Sequence, residues 1–406
     1  MPPVTTDRMG RYAARMNPDA QETMIDRLLA LLRTSTEVPA GSHEIQAGDP
    51  RIIAAVDDVV LPMIEALEPD HVERHPEGDL VARFGPPGDH GLLIQTYIVS
   101  QHGNEMADPL AGGLVDGEAF GVAGQVAVGQ GANQNKGPMA AAFAALAMRP
   151  ADLVRPVLLA VNSEGKSSHG GSRRIIDELG ARATRAVLAF GTDLNVSIGN
   201  RGRVDIHIEV PGASSHSSQP ALGINPLPRA GDVVAALATA PLPEPHADLG
   251  LATLTPYQLR FEPVAPHTIP RRGLLLVDRR LLPGEEPEDA VASVRAHLAA
   301  ALDFEVSVSQ KAVMLPAEVP ADDRIVTSLL EEMESRGRQS ITMYSGNTFD
   351  AGYGCSVGMP TIMFGPGNRA FGAEMTGTEW VSIDDCHLAA EALSGLISRY
   401  CRTSTT

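Results

Sequence analysis

Lysine is nearly absent from this chain: Lys136, Lys166 and Lys311 are the only three in 406 residues. The other basic residues are arginine, a bias that reflects base composition more than function. Basic charge is also outweighed, 32 Lys and Arg against 50 Asp and Glu, for a formal charge of −18. Such an acidic chain argues against nucleic acid and against an anionic membrane surface as partners. Cysteine is scarce too. Cys355, Cys386 and Cys401 are too few and too clustered for a disulfide framework, which points to a reducing cytoplasm. No apolar run reaches bilayer-spanning length, and Met1 to Met16 has no apolar core of a secretion signal.

What is present suits a globular protein, with 43% hydrophobic and 20% charged residues. The length allows two domains. Helical periodicity runs from Asp19 to Arg33, and a second helix from about Pro50 to Ala66. The runs 91–99 and 157–161 are short, apolar and β-branched, as buried strands are. An Ala-rich helix covers Met139–Ala147. Alternating strands and helices predict an α/β layer with a mainly parallel sheet, its site at the strand C-ends. Near residue 200 the pattern changes. Arg203–Val210 alternates polar and apolar, Leu274–Asp278 and Glu305–Ser309 are further strands, and Pro287–Ala301 is a helix. This segment, 199–312, predicts an inserted α+β domain. Residues 1–198 and 313–406 then form the larger domain, with a strand at Pro360–Phe364 and a closing helix at Asp384–Tyr400.

The most specific motif is Gly129-Gln130-Gly131-Ala132-Asn133-Gln134-Asn135-Lys136-Gly137. Further motifs follow in order: Ser163-Glu164-Gly165, Gly199-Asn200-Arg201-Gly202, and 212–220 around His216. Beyond these come Gly223-Ile224-Asn225-Pro226, 278–284 around Arg280, Asn347-Thr348-Phe349-Asp350-Ala351, and Phe364-Gly365-Pro366-Gly367. Together they resemble the co-catalytic zinc deacylases: aminoacylase, acetylornithine deacetylase, succinyl-diaminopimelate desuccinylase and carboxypeptidase G. The resemblance covers roughly residues 20–400. It implies a zinc-peptidase-like catalytic domain, a mixed sheet flanked by helices, with an inserted lid that dimerises. It also implies that the lid histidine, here His216, crosses the dimer interface into the neighbour's site.

The same resemblance shows where this chain departs. The family's first strand ends in His-x-Asp; the matching residues are Tyr97 and Val99. The carboxylate bridging two zinc ions is Gln134. The glutamate pair, base then ligand, becomes Glu164 then Gly165. The next carboxylate falls at about Phe190, and the last histidine becomes Met375, four residues before Glu379. Zinc needs several N, S or O ligands converging at about 2.0–2.3 Å, so these replacements predict no metal and no other cofactor. His102, Glu105, Asp108, His169 and Glu374 lie near the motif loops, but scattered acids and histidines there are mostly solvated or capping.

Glu164 is the candidate general base, a carboxylate that can take a proton from an amine or a carbon acid; the alternative is that it caps its loop. Tyr97 either donates a hydrogen bond to substrate or fills the vacated space with its ring. His169 is either a proton-transfer partner or a capping or surface residue. Lys136 and Lys166 are candidates for an anionic group of the substrate, or are solvated. Gln134 and Asn135 offer neutral donors and acceptors. The resemblance assigns Arg201, His216, Asn225 and Arg280 to substrate contacts, with a structural ion pair to Asp278 or Glu285 the alternative for Arg280. His267 stands where the family usually has an Asn. Asn347 and Met375 complete the candidate set.

Three functions follow. The first is a metal-independent enzyme of specialised biosynthesis, acting on an amino-acid-derived small molecule by ring closure, elimination or isomerisation. The second is a non-catalytic binding or scaffold relative. The third is an ordinary metallohydrolase with misassigned ligands. The lid predicts a homodimer or a small accessory protein as partner.

Overall fold

A computed structural model describes residues 18–39, 45–100, 106–164, 168–367 and 377–402. The chain divides into two compact units. One comprises the chain up to Ile198, Val319–Met343 and the chain from Val357 on; the other is Gly199–Glu318 with Tyr344–Ser356.

The first unit is built on a mixed sheet. Its strands are β1 (His71–Arg74), β2 (Leu80–Phe84), β3 (Gly91–Tyr97), β6 (Val157–Asn162), β7 (Ala183–Ala189), β8 (Val196–Asn200) and β17 (Thr361–Phe364), in the order β1-β2-β6-β3-β7-β17-β8. The four central strands, β6, β3, β7 and β17, are mutually parallel, and the flanking pairs are antiparallel. Every residue of β3 and β6 is buried, the continuous apolar pattern of a strand covered on both faces. A separate three-stranded sheet pairs β4 (Gly113–Asp116), β5 (Gln125–Val128) and β18 (Trp380–Ser382).

Helices follow from the same patterning. In α1 (Pro18–Leu32) the buried residues are Met24, Leu28, Leu31 and Leu32, one face at helical spacing. From Pro50 to Glu65 the chain is helical as α2 (Pro50–Ala55) and α3 (Leu61–Glu65), joined by a π turn at Val56–Val60. Pro62 lies just past that turn and lacks the N–H that a regular helix would use there. The alanine helix α4 (Gly137–Ala147) is buried from Gly137 to Leu146 and packs against α1 and α10 (Ile383–Ile397). Small side chains allow that close approach on every face. The remaining helices of this unit are α5 (Gly170–Leu179) and α8 (Arg324–Ser335).

The second unit is an α+β lid. Its four-stranded antiparallel sheet runs β11 (Thr253–Glu262), β13 (Arg272–Leu281), β9 (Gly202–Pro211) and β14 (Ser307–Met314). Val204, Ile206, Ile208 and Val210 of β9 point to one face. There they form a core with Ala230, Val233 and Leu237 of α6 (Pro226–Leu237) and Val291, Val294 and Leu298 of α7 (Pro287–Ala301). A two-stranded ribbon pairs β10 (Ser215–His216) with β12 (Thr268–Ile269). β15 (Ala317–Glu318) pairs with Asn200 and Gly199 at the end of β8.

The second junction lies later than the sequence suggested, after Glu318 and not after Ala312. β14 continues to Met314, whose partner is Arg203 of β9, and this pairing holds the chain in the lid. Residues 344–356, placed in the larger domain by the sequence reading, belong to the lid unit. They include the end of β16 (Thr342–Ser345) and α9 (Ala351–Ser356). Gly352 packs so closely on Leu315 that a Cβ would stand 1.9 Å from the Leu315 carbonyl oxygen.

Candidate active site

The C-ends of the parallel strands gather the motif residues of the first unit. β3 ends in Tyr97, β6 runs into Ser163 and Glu164, β7 into Phe190, and β17 into Gly365. Gln134 lies in a π turn, Ala132–Lys136, that leads into α4.

That turn is held from beneath by Glu379. Its buried carboxylate accepts hydrogen bonds from the backbone N–H groups of Gly131 at 2.8 Å, Asn133 at 3.1 Å and Gln134 at 3.1 Å. A carboxylate is suited to collecting several N–H donors at once. Asn135 secures the other side. Its amide nitrogen faces three carbonyls at the end of β3, those of Tyr97, Ile98 and Val99, at 2.9, 3.2 and 3.3 Å. The amide donors of this predicted substrate-binding residue therefore tie off a strand. Lys136 is no solvated loop lysine. It is fully buried, and its Nζ donates to the Thr34 carbonyl at 2.9 Å. Burial pushes the ammonium down to about 8, against the attraction of Glu379 and Glu37.

Glu164 is 9% exposed, and it is ion-paired. Arg174, on α5, donates from Nη1 to Glu164 Oε1 at 2.5 Å. The same guanidinium donates to Asp79 Oδ2 from Nη2 at 2.6 Å and from Nε at 3.0 Å. Burial lowers the Arg174 guanidinium, but its bonds to Glu164 and Asp79 outweigh that and raise it. Asp79 Oδ1 in turn accepts from Ser163 N and Ser163 Oγ, both at 2.8 Å. The backbone N–H of Glu164 donates to Asn162 Oδ1 at 2.8 Å. Close packing requires the two glycines that open α5. A Cβ on Gly170 would stand 2.1 Å from Glu164 Oε2, and one on Gly171 2.1 Å from Asn162 Oδ1. Sequence reasoning missed Asp79, Arg174 and Asn162. The Gly170-Gly171 pair at a helix start was the signal available.

The positions the resemblance assigns to metal ligands hold other chemistry. Tyr97 is 2% exposed and its ring lies 6.0 Å from that of Phe190, tilted by 40°. Val99 is fully buried. A phenol, an isopropyl group, an amide and a phenyl ring are not a donor set for paired zinc ions. Among the described residues, no group of three or more His, Cys, Asp or Glu side chains is placed to hold a metal ion. Gly165, Lys166 and Met375, and also His102, Glu105 and Glu374, lie outside the described residues. His169 is buried, not a surface residue. It precedes the first residue of α5, and its carbonyl accepts from Arg173 N at 2.7 Å.

In the lid, several candidates have structural partners. The Asn225 side chain caps α6 by accepting from Leu227 N at 3.0 Å. Arg280 forks onto Asp278 at 2.7 and 2.9 Å, the ion-pair alternative for that residue. Arg201 donates from Nη2 to the Leu249 carbonyl, while its buried Nε has no acceptor among the described residues. His216 and His267 are both exposed, with ring centroids 6.2 Å apart across the β10–β12 ribbon. Asn347 is exposed, its N–H donating to Ser345 Oγ at 3.3 Å.

A mixed-sheet unit with an α+β unit is a fold shared with solved structures of M20-family enzymes. Residues 198–304 match the family model of the M20 peptidase dimerisation domain. The succinyl-diaminopimelate desuccinylase of Rhodospirillum centenum is 27% identical over 312 residues, 71% of this chain and 76% of that protein. The enzyme of the same name from Acidiphilium cryptum is 32% identical over 196 residues, 46% of this chain and 49% of that protein. The M20 family metallo-carboxypeptidase of Sulfolobus solfataricus superposes with a TM-score of 0.69 at 15% identity, covering 95% of this chain and 99% of its own. The chain therefore shares the fold of that solved M20 structure, and residues 198–304 match the dimerisation domain of the M20 peptidases.

Proposed function

We propose that the chain is a metal-independent enzyme on this deacylase scaffold, acting on an amino-acid-derived small molecule in specialised biosynthesis. Glu164 is its general base, and the chemistry is non-hydrolytic: closure of a ring by an internal amine with loss of a leaving group, or elimination. One observation carries the reading. A buried carboxylate is retained at Glu164, while an aromatic pair, Tyr97 and Phe190, occupies two positions where the family resemblance expects ligands. Without a Lewis acid, water keeps a pKa far above that of zinc-bound water, so amide hydrolysis loses its nucleophile. A proton transfer from an amine or carbon acid needs only the carboxylate. The three cysteines are free, in keeping with a reducing cytoplasm as the place of action. The lid supports a homodimer, or an accessory protein on the same surface.

A second reading, a binding or scaffold protein, draws on the lid. Asn225 and Arg280 each have a structural role that accounts for their presence without a substrate. One experiment separates the readings. In the producing organism, Glu164→Gln should abolish the product while the purified variant still binds its ligand. Unchanged product would favour the scaffold. About two zinc ions per purified chain would restore the hydrolase.

A further inference from the structure

We infer that Arg174 is a positioning residue for Glu164, that Asp79 balances its charge, and that Glu164 Oε2 is the oxygen that exchanges the proton. The inference rests on the reading of Glu164 as a base.

The argument starts from the two oxygens. Oε1 is committed to Arg174 at 2.5 Å. Oε2 lies over the Cα of Gly170, where a side chain would meet it at 2.1 Å. Fixing one oxygen leaves a carboxylate a single way to present the other. Rotation of the long glutamate side chain, which otherwise costs entropy on each encounter, is removed in advance.

Charge is the second part. An arginine alone beside a glutamate favours the anion so strongly that it weakens the base. Here the guanidinium is shared. Two of its three donated bonds go to Asp79, which is completely buried and receives two more from Ser163. Arg174 and Asp79 cancel as a pair, so the three groups together keep one negative charge. That charge can be neutralised by a proton arriving at Oε2, with the electron pair staying on the substrate nitrogen or carbon. Asp79 also holds the Ser163 backbone, so the pair fixes the strand end that carries Glu164.

The test reads Glu164 itself. Full-length protein is labelled with [δ-13C]glutamate, and the Glu164 signal is assigned by its loss in Glu164→Gln. In Arg174→Met this signal should move and its line should broaden as the carboxylate, no longer held at Oε1, samples several rotamers. Arg174→Lys should restore part of the wild-type line position and width, and Asp79→Asn should also displace the line. A purely architectural arginine would lower thermal stability in Arg174→Met and leave the Glu164 line in place; that result overturns the inference. If Arg174→Met does not fold, an unmoved signal in both Arg174→Lys and Asp79→Asn overturns it equally. Failure of the base reading looks different: product formation in the organism would survive Glu164→Gln, whatever the spectra show.

Discussion

Replacing Lys136 by Met should abolish a rise in stability that the wild type shows between about pH 8 and pH 10.5. The ammonium is fully buried and bonded to the Thr34 carbonyl, and burial pushes it down from 10.5 to about 8. In the unfolded chain the amine titrates at its ordinary value. Between the two values the unfolded state therefore holds the extra proton, and stability increases with pH. The contribution is complete above 10.5 and lost as pH falls through 8. A difference of about 2.5 units corresponds to about 3 kcal/mol. At pH 7 the Met variant loses the buried charge but leaves the Thr34 carbonyl without its donor, a cost of about 1–3 kcal/mol. The two proteins should then be similar in stability at neutral pH. Urea unfolding at pH 7, 8, 9 and 10 checks the difference between wild type and variant, in which other alkaline titrations cancel. The wild type should gain on the variant by about 2.5 kcal/mol over that range. A flat difference would refute the buried placement of the amine.

Three further outcomes follow from the same structure. Asp385, with its carboxyl raised to about 6 chiefly by burial and further by Asp193 and Asp384, against Arg338, destabilises the fold once ionised; Asp385→Asn should match wild type near pH 4 and exceed it at pH 7 by up to about 3 kcal/mol in thermal unfolding. Glu379→Ala strands three backbone donors, those of Gly131, Asn133 and Gln134, and should cost about 3–5 kcal/mol in urea unfolding. Gly170→Ala forces a Cβ onto Glu164 Oε2; it should cost about 1–3 kcal/mol of stability and should lower product formation more than that loss of folded protein explains.

The layered fold was legible because periodicity carries it. The buried runs at Leu92–Ile94 and Val157–Val161 can only be interior strands once alternating helices are recognised. The domain junction was harder, because nothing in the polarity of Val313 and Met314 distinguishes a strand that ends at Ser309 from one that runs on beside β9. Candidate-site residues were legible by type and not by partner. Asn135, Lys136 and Asn225 stand in loops that suggest contact with a ligand, yet their donors and acceptors meet Tyr97, Thr34 and Leu227. Such bonds link positions up to 102 residues apart, and no local pattern encodes them.

The partners missed by the sequence reading alter the chemistry more than those it named. A glutamate alone at a strand end is ambiguous between base and loop cap. With Arg174 and Asp79 in place it becomes one member of a three-group network with a fixed geometry. If only a loop had to be held, Asp79 and Ser163 would suffice, since their two bonds already secure the strand end. The added guanidinium does something those bonds do not: it fixes one oxygen of the Glu164 carboxylate. Orientation of that kind matters for a group that must meet another molecule, and this supports the proposal that Glu164 transfers a proton over the alternative that it caps a loop.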